Sequence, residues 1–133
     1  ADLIVAGPGS LFTSVLPNLL VEDITRAIRA SRASKIYVCN VATQRGETDG
    51  FSVGDHVEAL KRHVGRDVFH HVLVNDNFNV KLNPNTELVS LEHEAEGGYQ
   101  VVSADLIDPQ KPWRHDPQKL ARSLMNFYLE IRN

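Results

Sequence analysis

Residues Leu3 to Ser14 read LIVAGPGSLFTS, and the fold follows from how that stretch changes character in its middle. Leu3 to Gly7 is continuously apolar, which suits a parallel strand buried on both faces and not a surface strand that alternates. Gly7-Pro8-Gly9-Ser10 then stops any strand, so the unit is a strand running into a glycine loop.

Working outward, the chain turns helical from about Pro17. Ile24, Ala27, Ile28 and Ser31 fall on one face, Glu22 and Asp23 sit in an early turn where carboxylates suit the dipole, and the helix ends near Ala33. Lys35 to Val41 (KIYVCNV) predicts a second strand, followed by the polar loop ATQRGETDG, residues 42 to 50. Ser52 and Asp55 resemble a capping box with acid in place of Glu. Val53, Val57, Leu60 and Val64 then make the buried stripe of a second helix. Val68 to Val74 predicts a third strand.

Asn and Pro interrupt Asp76 to Gly98, which is expected to be a loop with an added strand. Tyr99 to Leu106 predicts a further strand. Asp116 caps and Pro117 opens a last helix, which turns Leu120, Leu124, Phe127 and Ile131 toward the sheet. The alternation β, α, β, α, β with short connections predicts right-handed parallel crossovers. The fold class is therefore α/β, a doubly wound, mostly parallel, Rossmann-like sheet.

Composition bounds the function. At 133 residues with 42% hydrophobic and 23% charged content the chain holds one core. A net charge of -3 supplies no basic field for a phosphate backbone, which argues against nucleic acid as a partner. The single cysteine, Cys39, lies inside a predicted strand and reads as a core residue. No disulfide framework arises, and a reducing, cytoplasmic setting is expected. No apolar run approaches the roughly 18 residues of a membrane helix, so no membrane insertion is expected. A buried strand at the very start normally has neighbours on both sides, and the expectation is that sequence upstream is missing. A homo-oligomer stays open.

In open parallel sheets, ligands gather outside the carboxyl ends of the strands, where loops and helix starts present free N–H groups. That rule selects Gly7 to Ser14, Asn40 to Gly50 and Asn75 to Asn77. In the first loop Gly7 and Gly9 let a ligand approach the backbone, and Ser10, Thr13 and Ser14 add hydroxyl donors that suit phosphate oxygens. The same residues would equally make a tight turn with hydroxyl caps. The spacing is neither GxGxxG nor the lysine-bearing Walker loop, which argues against an ordinary NTP hydrolase.

The second loop gathers Asn40, Thr43, Gln44, Arg45, Glu47, Thr48 and Asp49, able to read the hydroxyls and amides of a base or sugar or to hold a cation; solvation explains such polarity too. Arg114 could fork onto a diphosphate, or simply flank the helix cap at Asp116. The six histidines show no metal-ligand spacing, and His70 and His71, placed on a strand, point to opposite faces.

With these residues in view, GPGSLFTSVLPNLL (7–20), YVCNVATQRGETDGFSVGDHVEAL (37–60) and WRHDPQKLA (113–121) resemble the YvcK family of gluconeogenesis factors, related to CofD. The likeness covers about residues 2–64 and 99–124. The family opens with a glycine-rich GGGTG-type half that has no counterpart here, so the resemblance implies the C-terminal part of a larger CofD-like fold, one domain over residues 1–133.

The resemblance further implies a nucleotide-sugar (UDP-sugar) binding regulator of carbon metabolism, cell-wall precursor supply and cell shape, with no established catalysis. Its ligand residues would be Gly7, Gly9, Ser10, Thr13 and Ser14 at the phosphates, Asn40, Thr43, Thr48 and Asp49 at the base or sugar, and Arg114 at the diphosphate. The CofD branch implies the alternative, a 2-phospho-L-lactate transferase acting on a deazaflavin from a guanosine-diphosphate carrier, with Mg²⁺ held by Asp49 or Asp116. That branch tends to carry Pro-Ser-Asn-Pro in the first loop, so Gly7 to Ser14 favours the YvcK side.

Overall fold

The computed structural model describes residues 1–65, 68–94 and 97–132. Four strands form one sheet: β1 (Leu3–Ala6), β2 (Ser34–Val38), β3 (His71–Asn75) and β4 (Gln100–Ala104), side by side in chain order and all parallel. Registers such as Val5 against Ile36 and Val72 against Val101 put all four carboxyl ends at one edge. The α/β class and the parallel sheet are as the apolar runs require.

Helices cover both faces. Alternation along the strands sends Tyr37, Cys39, Val72 and Val74 to one core, where they meet Leu11, Leu16, Val57, Leu60 and Val64 from the first two crossovers. Ile36, Val38 and Leu73 face the other way and pack under Leu106, Ile107 and Phe127. Both crossovers step in the same direction along the sheet, which puts their helices on the same face; the terminal helix covers the opposite one. Burying each of these side chains contributes about 2 kcal/mol before entropy is charged.

The first helix differs from its prediction. It begins at Leu11, well before Pro17, as a π-turn (Leu11–Val15) that continues into α1 (Leu16–Leu19). Pro17 offers no N–H and its ring would collide with the Thr13 carbonyl in an α-turn; the wider turn ahead of it relieves that clash. Val21 is extended (φ -71°, ψ 111°), and α2 (Glu22–Ala30) starts afresh behind it. The buried residue there is Thr25, whose hydroxyl donates to the Leu19 carbonyl, whereas Ile24 is exposed. A tertiary hydrogen bond thus overrides the apolar stripe expected at Ile24.

Helix α3 (Val53–Val64) matches its prediction. The Ser52 hydroxyl accepts from Asp55 N at 3.2 Å, and the Asp55 carboxylate accepts from Ser52 N at 2.9 Å. Helix α4 (Pro117–Arg132) is capped by Asp116, whose Oδ1 accepts from Gln118 N (2.9 Å) and Lys119 N (3.0 Å). Phe127 is buried on it, but Ile131, expected to face the sheet, is exposed.

Three strand predictions were too long. β2 ends at Val38, since Cys39 leaves the ladder with its N–H still on the Leu73 carbonyl. β3 begins at His71, leaving Val68 to His70 outside it, so His70 and His71 do not share a strand. β4 spans only Gln100–Ala104. The added strand expected between Asp76 and Gly98 is absent among the described residues, positions 95 and 96 lying outside them. Its nearest equivalent is a single antiparallel bridge, Leu88 to Ala42, with Val89 N bonded to the Val41 carbonyl at 3.0 Å.

Candidate functional site

The site is built at the carboxyl edge, where each strand hands over to a loop. Gly7 takes φ +87°, and a Cβ there would lie 2.9 Å from the Val38 carbonyl, so the chain can leave β1 against β2 only as glycine. The next step is held from the neighbouring loop. Asn40 Oδ1 accepts from Gly9 N at 3.3 Å while Asn40 Nδ2 donates to the Gly9 carbonyl at 2.9 Å. One side chain therefore satisfies both backbone groups of Gly9 and fixes the spacing of the first two loops.

Ser10 Oγ caps the helical turn by accepting from Thr13 N at 3.4 Å. The same hydroxyl donates across to Glu47, 3.3 Å from each carboxylate oxygen. Thr13 and Ser14 are exposed, and Ser14 is held through its backbone, its N–H on the Ser10 carbonyl at 2.9 Å and its carbonyl accepting from Asn18 Nδ2 at 2.7 Å. Their hydroxyls remain free for a ligand among the described residues.

In the second loop Thr48 is 0% exposed and its Oγ1 accepts from Gln44 N at 2.8 Å, so this hydroxyl folds the loop and faces the interior. Asp49, exposed, accepts from Gly46 N at 2.7 Å. Thr43 is tied to the Glu87 carbonyl by its N–H at 2.8 Å and its hydroxyl at 3.3 Å, and Glu87 Oε1 accepts from Gly50 N at 3.1 Å. Segment 87–89 thus braces this loop from behind.

The third element is the connector before α4. His115 Nε2 donates to the Cys39 carbonyl at 3.2 Å, across 76 positions of sequence, and pins the connector beside the root of the second loop. Burial pushes the His115 imidazole below its ordinary pKa, against the smaller opposing pull of that carbonyl, and keeps it neutral. Arg114 is thereby brought to the same edge. Its Nε lies 3.4 Å from Asp108 Oδ2, a single long contact from a half-exposed guanidinium that leaves the outer nitrogens of the fork uncommitted among the described residues.

Sequence reasoning placed Glu47 and Asn75 in candidate loops without their contacts and gave His115 no role of its own. Glu47 appeared only as one polar residue in a loop, and its contact with Ser10 spans 37 positions. His115 carried no signal beyond its neighbours. Asn75, buried at the end of β3, accepts from Asn77 N (3.1 Å) and Leu106 N (3.2 Å) and joins the third and fourth loops. Next to it, Asp105 is raised by partial burial. Lys119, at 2.8 Å, with the Ile107 N–H and Asn77, overcomes this and holds its carboxyl below the usual range.

Asp116 Oδ1 accepts from the first turn of α4 and Asp49 Oδ2 from Gly46 N, and among the described residues no three His, Cys, Asp or Glu side chains gather closely enough to hold an ion by themselves. Among the described residues no helix is long and apolar enough to cross a membrane.

Comparison with known proteins agrees with this architecture. Residues 1–126 match the family described as 2-phospho-L-lactate transferase CofD. A relative from Nostoc sp. is 43% identical over 144 residues, covering 96% of this chain and 30% of that protein. The gluconeogenesis factor of Listeria innocua is 41% identical over 132 residues, covering 94% of this chain and 41% of the relative. A solved Bacillus halodurans protein of the UPF0052 family superposes with a TM-score of 0.80 at 36% identity, over 94% of this chain and 43% of its own. The chain thus spans between 30% and 41% of the curated relatives compared here.

Proposed function

The chain belongs to the CofD family, and from that premise we propose that its carboxyl edge binds the diphosphate of a nucleotide sugar, a UDP-sugar, in a cytoplasmic regulator of the gluconeogenesis-factor kind. The reading is supported above all by the convergence of the three loops: Asn40 clamps Gly9, and His115 pins the Arg114 connector beside Asn40. Phosphate oxygens accept hydrogen bonds and carry negative charge. Ser10, Thr13 and Ser14 supply hydroxyl donors, Gly7 and Gly9 let the ligand approach the backbone closely, and the Arg114 fork supplies the countercharge. Asn40, Thr43 and Asp49 line the base or sugar side, and Thr48 keeps that loop in shape from within. Carbon allocation, cell-wall precursor supply and cell shape are the processes such a sensor would govern.

We read the chain as the C-terminal part of a larger fold. β1 pairs with no strand on its outer side among the described residues, Val5 is 38% exposed, and a cleft of about 380 Å³ lined by Val5, Gly7, Pro8, Ser14 and Ile24 runs along it. A further strand and its loop would complete both sheet and site. The test is calorimetric titration of the full-length protein with UDP-N-acetylglucosamine. Saturable heat that Arg114→Ala weakens about tenfold supports the reading, and no heat at millimolar ligand defeats it.

A second reading, 2-phospho-L-lactate transfer to a deazaflavin, is favoured by the name of the matching family. In it the edge would hold a guanosine diphosphate carrier by the same donors. Formation of the phospholactyl product from a deazaflavin acceptor would establish it.

A further inference from the structure

The Ser10 hydroxyl has one proton, and its oxygen lies 3.3 Å from both oxygens of the Glu47 carboxylate, which can only accept, so that proton is committed to Glu47. A phosphate at Ser10 needs the same proton, because phosphate oxygens only accept. Two anions cannot share the donor without repelling each other. The carboxylate has no other hydrogen bond or ion pair among the described residues, and its loop is held independently by Thr48, Asp49 and Thr43. The loops also stay joined through Asn40 and Gly9 when Ser10 is released. Glu47 can therefore let go without unfolding anything.

We propose that Glu47 is a charge gate on the anion site: it occupies the Ser10 hydroxyl when no ligand is present and must withdraw for a diphosphate to bind. This rests on the diphosphate reading above and adds a regulatory residue to it. The gate sets a threshold, so weakly held single phosphates are refused while a diphosphate with several further contacts displaces the carboxylate. It also couples binding to the second loop, since the released Glu47 must find a new position there.

The test compares full-length wild type, Glu47→Gln, Glu47→Ala, Ser10→Ala and the double variant Ser10→Ala/Glu47→Gln, each titrated with inorganic pyrophosphate and with UDP. Glu47→Gln is expected to bind both probes about fivefold tighter at low salt, the size of a partly exposed charge contact, and the gain should shrink as salt rises. In the Ser10→Ala background the gain should also shrink, because no hydroxyl is left to release. Glu47→Ala, read alongside, shows the same gain without an amide that could bind in its own right. Binding by Glu47→Gln where wild type shows none supports the gate in its strongest form. If wild type binds and the Glu47 variants bind equally or more weakly, the gate is overturned and the diphosphate reading stands. If none binds, both fall.

Discussion

Replacing Asn40 with alanine removes the side chain that clamps Gly9, while the Ser10–Glu47 contact still bridges the two loops. Two hydrogen bonds are lost, at 3.3 and 2.9 Å, and both backbone groups of Gly9 lose their partner. At about 1 kcal/mol for each neutral bond, the loss is about 2 kcal/mol in urea unfolding, or about 6 °C in Tm for a domain of this size. Asn40→Asp should not rescue it, since the acid keeps the acceptor for Gly9 N but sets a charge against the Gly9 carbonyl. Because Gly9 positions Ser10, pyrophosphate affinity should fall with stability. Unfolding of Asn40→Ala within about 0.5 kcal/mol of wild type would refute the clamp. Lost stability with unchanged affinity would separate loop architecture from the anion site.

The Tyr37 hydroxyl is fully buried without a hydrogen-bond partner among the described residues. Tyr37→Phe should leave stability unchanged or raise it by up to about 1 kcal/mol in the same urea assay, and a loss of that size would reveal a hidden partner. His56 and His115 are both held below the ordinary value of 6.5, chiefly by burial. The unfolded chain then binds more protons than the fold between that value and the lower folded ones, so stability is complete above pH 6.5 and declines as pH falls below it. Thermal melts from pH 8 to about 5 should show this decline, and His115→Gln should flatten part of it; an equally steep profile in that variant would assign the effect elsewhere.

Local physics made much of this fold readable in advance. LIVA is apolar at every position, so it reads as a strand without help from its neighbours, and Ser52 with Asp55 closes a capping box across three residues of the same chain. Asp116 and Pro117 mark the start of α4 for the same local reason. Strand ends were less legible, because whether Cys39 or Val68 belongs to a ladder depends on how far the neighbouring strand extends. The π-turn at Leu11 was readable only in hindsight from Pro17.

The candidate site divides in the same way. Gly7, Gly9, Ser10 and Asn40 stood out as loop residues at strand ends, a property of the sequence alone. Their assignment to one another did not: Asn40 to Gly9 spans 31 positions, Ser10 to Glu47 spans 37, and His115 to Cys39 spans 76. Such pairs form because parallel strands bring all their carboxyl ends to one edge, and no local propensity encodes which side chain will then reach which. Sequence by itself determined the strands, the caps and the loops where a ligand would lie. Only the tertiary structure decided that Thr48 turns inward, that Asn40 holds Gly9, and that the Glu47 carboxylate sits against the Ser10 hydroxyl.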